Sequence, residues 1–198
     1  MKWYKYDIRD MSENEYDKWF SLMNEAKRQK VDRFHFDDDK KRSVVGEMLA
    51  KKAVEEFCGI SAEDIILSAG ENGKPYAENA DVHFNISHSG NIVVCAVNDK
   101  PVGIDVEQIR NIELKVAKRV YTHDELFYLF GFHPEEEDFS ILPDEKMLLR
   151  FFELWTAKEA YLKYTGEGIA SELKTLAVNS EKILREYHED YVISIYKD

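Results

Sequence analysis

Cysteine is nearly missing from this sequence: Cys58 and Cys95 stand alone in 198 residues. Two isolated cysteines form neither a disulfide framework nor a metal knuckle. Both sit in apolar runs, which predicts buried thiols in a reducing compartment. Long hydrophobic runs are missing as well. None approaches the roughly 20 residues needed to cross a bilayer, and the N-terminal MKWYKYDIRD has no signal-peptide apolar core. The expectation is a cytoplasmic protein without a membrane partner. Basic charge is in deficit, with Lys+Arg 27 against Asp+Glu 39 and a net charge of −12. Phosphate-backbone binding relies on excess lysine and arginine, so nucleic acid is not the expected partner. There is no sequence repeat and no low-complexity segment.

What remains is a globular composition, 44% hydrophobic and 13% aromatic. Its length suits one large domain or two small lobes. Residues 2–8 alternate as a first strand. Ser12-x-x-Glu15 is a capping box that predicts a helix running to about residue 30. The stretch around Lys27, Lys30, Arg33 and Lys40-Lys41-Arg42 is the most basic part of the chain. Asp37 to Asp39 can open a second helix by complementing its dipole, and Gly59 can close it. A short strand is expected over 65–68, and an Asn72-Gly73 turn after it. Strands over 82–87, 92–97 and 102–107 read as an antiparallel meander. Of these, 82–87 is half-buried and 92–97 is apolar throughout. Beyond it, Asn111 can cap a helix over 112–120 that carries Lys115, Lys118 and Arg119 on one face. Thr122-x-x-Glu125 opens a helix toward Gly131, which accounts for Glu125 by itself. Residues 133–143 read as a loop, 144–165 as a long helix, and 176–178, 182–188 and 191–196 as strands. The order of elements is α+β.

Two stretches carry chemistry. In Val102-Gly103-Ile104-Asp105-Val106-Glu107 the apolar residues fall on one strand face, and Gly103, Asp105 and Glu107 on the other. The glycine leaves room for something to approach. Paired carboxylates raise each other's pKa unless a cation lies between them, and Mg2+ takes one or two carboxylates with waters and phosphate oxygens. The same pattern also suits an edge strand whose acids meet only water. In the helix over 144–165, the apolar stripe runs through Leu148, Phe151, Phe152 and Trp155. It then meets Glu159 where an apolar residue was due, with Lys163 one turn on and Lys158 on an adjacent face. A plain Glu159–Lys163 surface pair explains this equally well. Taken together, the two stretches offer three carboxylates with a lysine at the edge.

Gly103-x-Asp105-x-Glu107 and Trp155-Thr156-x-Lys158-Glu159-x-x-x-Lys163 resemble the two signatures of the Sfp-type 4'-phosphopantetheinyl transferases. Gly73-Lys74-Pro75, the segment Phe84 to Gly90, and the basic stretch with Lys27, Lys30 and Arg42-Ser43 resemble the family's coenzyme A segments. The resemblance covers about residues 1–170. It implies transfer of the phosphopantetheine arm of coenzyme A to a serine of an apo acyl or peptidyl carrier protein, with adenosine 3',5'-bisphosphate released. It implies that Asp105, Glu107 and Glu159 hold Mg2+, that Glu159 is the base, and that Lys163 serves the leaving phosphate, with Asp105 also counted as catalytic. It further implies that Lys27, Lys30, Arg42, Ser43, Lys74, Ser87, His88 and Lys158 hold coenzyme A. The implied fold is two similar lobes, each a small mainly antiparallel sheet packed on a long helix, with the active site between them. That divides the chain into 1–100, a coenzyme A lobe, and 101–198, a metal and catalytic lobe, and a monomer suffices. A phosphodiesterase using the Asp-x-Glu pair and a non-catalytic binding module are the competing readings.

Overall fold

The computed structural model describes residues 1–70, 73–166 and 173–198. The chain opens with strand β1 (Lys2–Asp7), followed by helix α1 (Glu13–Ser21) and helix α2 (Glu25–Asp32). These two short helices replace the single helix expected over 12–30. Asn24 breaks it, because its side chain accepts a hydrogen bond from the Lys27 amide and so starts a new helix. Helix α3 (Asp37–Cys58) has three aspartates in its first turn, and Gly59 closes it with φ 75°. Strands β2 (Leu67–Ala69) and β3 (Pro75–Ala77) form a small hairpin. The expected Asn72-Gly73 turn falls partly outside the described residues, but Gly73 has φ 73°. Then come β4 (His83–Ser89), β5 (Ile92–Asn98) and β6 (Val102–Gln108).

The second half holds α4 (Ala117–Val120), α5 (His123–Phe130), α6 (Glu145–Thr165), β7 (Ile183–His188) and β8 (Tyr191–Lys197). The helix expected over 112–120 is a 3-10 turn leading into four α-helical residues, and Asn111 does not cap it. A 3-10 turn, Glu137–Ser140, interrupts the loop expected over 133–143. Residues 176–178 are not a strand. Cys95 is buried as expected, whereas Cys58, the last residue of α3, is exposed.

The expected meander fails at its third strand. β5 already has β1 on one edge and β4 on the other, so no edge is left for β6. β6 pairs antiparallel with β8 in a separate sheet of order β6-β8-β7. Both sheets therefore have one topology: a strand, a long helix, then a hairpin whose last strand pairs with the first. α3 packs on the first sheet and α6 on the second. The molecule is thus α+β, two small antiparallel sheets each backed by a long helix.

β5 explains its own unbroken apolar run by being buried on both faces. Val93, Cys95 and Val97 join the α3 core, whereas Ile92, Val94 and Ala96 pack against Val102, Ile104, Val106, Ile193 and Ile195. β4 uses its two faces differently. Phe84 and Ile86 turn to the α3 side. Asn85 and Ser87, polar positions of the strand expected over 82–87, and Ser89, beyond its expected end, reach across to β6. The Ile104 amide donates to Asn85 Oδ1 at 3.0 Å, Ser87 Oγ to Asp105 Oδ1 at 2.7 Å, and Ser89 Oγ to Glu107 Oε2 at 2.8 Å.

Gly103 shows what its missing side chain is for. A Cβ there would lie 1.9 Å from the Ala160 carbonyl oxygen and 2.5 Å from the Tyr164 amide. The space that the sequence left open is filled by the backbone of α6, not by a ligand. That contact sets Glu159 and Lys163 beside Asp105.

Candidate active site

Asp105 is the centre of the cluster. Lys163 Nζ lies 2.6 Å from Asp105 Oδ1 and 2.8 Å from Ser87 Oγ, so strands β4 and β6 and helix α6 each supply one member. Asp105 Oδ2 is buried and has no hydrogen-bond partner among the described residues. Burial pushes the Asp105 carboxyl above its ordinary range, the Lys163 and Ser87 contacts pull it back, and Glu107 raises it again. Glu159 is half-buried and makes no hydrogen bond or ion pair among the described residues. Burial lifts it above the ordinary carboxylate range, and the neighbouring Asp105 and Glu107 add to the rise while Lys163 opposes it. A raised carboxyl without a bonded partner among the described residues has the character of a general base. Glu107 has two partners, Ser89 and Arg110, the latter at 3.0 Å.

Asp105, Glu107 and Glu159 form a hard, oxygen-only donor set, the chemistry that Mg2+ takes, and burial raises Asp105 and Glu159 within it. The unpartnered Asp105 Oδ2 is a second sign that this set fits a cation. Among the described residues, no three His, Cys, Asp or Glu side chains are already gathered in one coordination sphere. Lys163 supplies the compensating charge at Asp105 instead.

On the opposite face of β4 lies a cleft of about 690 Å3. Of the residues implied for coenzyme A, Lys27, Lys30, Arg42, Ser43 and His88 line it. Burial holds the Lys27 ammonium below its ordinary value, opposed by Glu47, and Lys30 pushes it further down. His88 keeps an accessible edge but lies down in the cleft wall. That enclosure, with the charges of Arg42 and Lys163, holds its imidazole below the ordinary range. Crowded cations of this kind are relieved by a polyanion. Arg42 is anchored, with Nη2 on Asp39 Oδ1 at 2.6 Å and Nη1 on the Gly90 carbonyl at 2.7 Å.

Three implied coenzyme A residues lie elsewhere. Ser87 faces the carboxylates rather than the cleft. Lys74 donates to the Lys163 carbonyl at 2.5 Å, although Gly73 and Pro75 beside it line the cleft. Lys158 is a correction. It is fully buried, 2.8 Å from Glu125 Oε2, and donates to the carbonyls of Leu173 and Leu176 at 2.7 Å each. It pins α5 and the segment after α6 to the helix, and has no access to the cleft. Glu125 does serve its capping box, and Lys158 as well.

Sequence reading missed Glu47, Ser89 and Arg110. Glu47 lines the cleft, and burial raises its carboxyl against the pull of Lys27 and Lys51. Its signal was present as an acid inside the buried stripe of α3. Ser89 was legible only as an alternating polar position.

A cationic cleft and a carboxylate–lysine cluster thus lie on the two faces of one strand. The profile for the "4'-phosphopantetheinyl transferase, N-terminal" family matches residues 10–100, and that for the "4'-phosphopantetheinyl transferase superfamily" matches residues 101–195. The 4'-phosphopantetheinyl transferase Sfp of Bacillus subtilis strain 168 is 32% identical over 192 residues, covering 96% of this chain and 78% of the relative. A second 4'-phosphopantetheinyl transferase of Bacillus subtilis is 34% identical over 175 residues, 87% of this chain and 73% of the relative. The psf-1 transferase of Bacillus pumilus is 39% identical over 150 residues, 75% of this chain and 60% of the relative. The chain belongs to the 4'-phosphopantetheinyl transferase superfamily and is an enzyme of that class.

Proposed function

We propose that this enzyme transfers the phosphopantetheine arm of coenzyme A to a serine hydroxyl of an apo carrier protein, releases adenosine 3',5'-bisphosphate and depends on Mg2+. The observation that carries the proposal is the back-to-back placement of two sites on β4. His88 belongs to the cationic cleft and Ser87 to the carboxylate cluster. The two sites are linked electrostatically, since the charge of Lys163 in the cluster acts on His88 in the cleft.

Lys27, Lys30, Arg42, Ser43 and His88 bind the anionic end of coenzyme A. The pKa values of Lys27 and His88, held below their ordinary values by enclosure and like charge, rise as the phosphates arrive. Asp105, Glu107 and Glu159 are the residues that would hold Mg2+, which supplies charge neutralisation at the pyrophosphate. Glu159, raised and unpaired, accepts the proton of the serine hydroxyl. Lys163 neutralises the charge that builds on the departing phosphate. Ser87 orients Asp105 through its 2.7 Å hydrogen bond.

The carrier approaches over the 3-10 turn and α4, where Lys115 and Arg119 are exposed and Lys118 is held by Glu136. This local basic face answers the overall charge of −12. Reversing the charge of Lys115 and Arg119 together is expected to raise KM for the carrier several-fold and leave KM for coenzyme A unchanged. An unchanged KM for the carrier removes this face from the account. The enzyme acts as a monomer, since one chain supplies both sites. The reaction itself is tested by the intact mass of an apo carrier incubated with enzyme, coenzyme A and Mg2+.

A further inference from the structure

The following inference rests on the reading of Lys163 and the three carboxylates given above. Lys163 Nζ donates to Asp105 Oδ1 at 2.6 Å and to Ser87 Oγ at 2.8 Å, and Ser87 donates to the same Oδ1 at 2.7 Å. The other Asp105 oxygen is buried without a partner among the described residues. One turn earlier on α6, Glu159 has no ion pair among the described residues. Lys163 therefore bonds one oxygen of one carboxylate and acts on Glu159 only at a distance. Its side chain is 27% exposed, against 6% for Asp105, so the lysine has solvent to move into and the aspartate has almost none. The helix end that carries it is fixed separately, by Lys74 on the Lys163 carbonyl at 2.5 Å.

An ammonium is a compact point charge on a flexible stem, and it takes the same carboxylate lone pairs that a hard cation takes. Two cations a few ångströms apart in a buried site repel strongly. We propose that Lys163 is the resident counter-ion of Asp105 in the unliganded enzyme and is displaced when a divalent cation binds the carboxylates. The displaced ammonium then has the cleft beside it, where its charge is already felt at His88. Occupation by metal and release of the lysine for the leaving phosphate become one event. A lysine still held on Asp105 is not available to the phosphate. The coupling is reciprocal, so the lysine weakens metal binding by the factor by which the metal weakens the lysine pair.

The test is the affinity for Mn2+ alone, without coenzyme A, in wild type, Lys163→Met and Lys163→Arg, followed by titration calorimetry and by the Mn2+ paramagnetic signal. Lys163→Met is expected to bind Mn2+ at least tenfold tighter than wild type, and Lys163→Arg no tighter. Equal or weaker binding by Lys163→Met overturns the proposal, as does absence of Mn2+ binding in every form. A second measurement needs no variant. Acylation of Lys163 in the wild-type enzyme, read by peptide mass spectrometry, is expected to rise several-fold with Mn2+, while acylation of the exposed Lys115 stays constant. Labelling of Lys163 that Mn2+ does not raise overturns the exchange even if transfer to a carrier proceeds. Absence of transfer, by contrast, sinks the reading on which the inference rests.

Discussion

Replacing Glu159 with glutamine separates its chemistry from its cost to the fold. The carboxyl is lifted above its ordinary range by burial and by Asp105 and Glu107, and no described residue bonds it. Glu159→Gln is expected to lower the transfer rate by about a hundredfold or more, the usual contribution of a general base. The same change is expected to raise the melting temperature of the unliganded enzyme. The sign follows from proton binding: a folded-state pKa above the unfolded one means that the native state binds more protons, so stability falls as pH rises through that interval. The gain from Glu159→Gln is therefore expected to be absent below the ordinary value of 4.5 and fully developed above the shifted one. Thermal melts at a series of pH values, without metal, check this. A variant less stable than wild type at neutral pH would give Glu159 a structural role instead. From the sequence Glu159 stood out as an acid in an apolar stripe. What could not be read there was that Lys163 bonds to Asp105 rather than to Glu159, because that choice depends on how α6 docks on β6.

The elements explain which expectations held. Capping boxes, the acidic first turn of α3 and the Gly59, Gly131 and Gly166 helix ends act within a few residues, so α3, α5 and α6 were legible. Strand partners are long-range, and only the sheet shows that β5 has both edges occupied and that β6 must pair with β8. What Gly103 and Lys158 meet was hidden for the same reason: each contacts a partner distant in sequence. Gly103→Ala is expected to destabilise the protein by about 3 kcal/mol, since its methyl group meets the backbone of α6 rather than a flexible side chain. Chemical denaturation measures it, and activity falls with it. Lys158→Met leaves Glu125 without its buried partner and is expected to cost about 3 kcal/mol, much of which the added Glu125→Gln restores. KM for coenzyme A of the folded double variant is expected to stay near wild type. A many-fold rise in that KM with stability intact would return Lys158 to the coenzyme A site.

At the scale of the whole molecule, the acidic balance and the basic cleft pull in opposite directions. The enzyme carries −12 overall, yet it gathers Lys27, Lys30 and Arg42 around one cavity. Screening acts on both, but a charged ligand in an open cleft loses most as the Debye length shrinks from about 8 Å at physiological salt to about 3 Å at 1 M. KM for coenzyme A is expected to rise several-fold from about 0.05 M to about 0.5 M salt, measured at saturating carrier. Composition alone made the deficit of basic charge visible and argued against nucleic acid. The gathering of the remaining cations into one cleft required α2, α3 and β4 to converge. The duplicated strand–helix–hairpin topology leaves no sequence repeat, and it was anticipated only through the family resemblance, which implied two similar lobes.

The most direct test is the intact mass of purified apo carrier proteins of the fatty-acid, polyketide and peptide-synthetase types after incubation with this enzyme and coenzyme A, with Mg2+ or with a chelator. The account predicts a gain of one phosphopantetheine arm on at least one carrier, abolished by the chelator and by Asp105→Ala. No gain on any carrier, together with no binding of coenzyme A to the cleft, would contradict it.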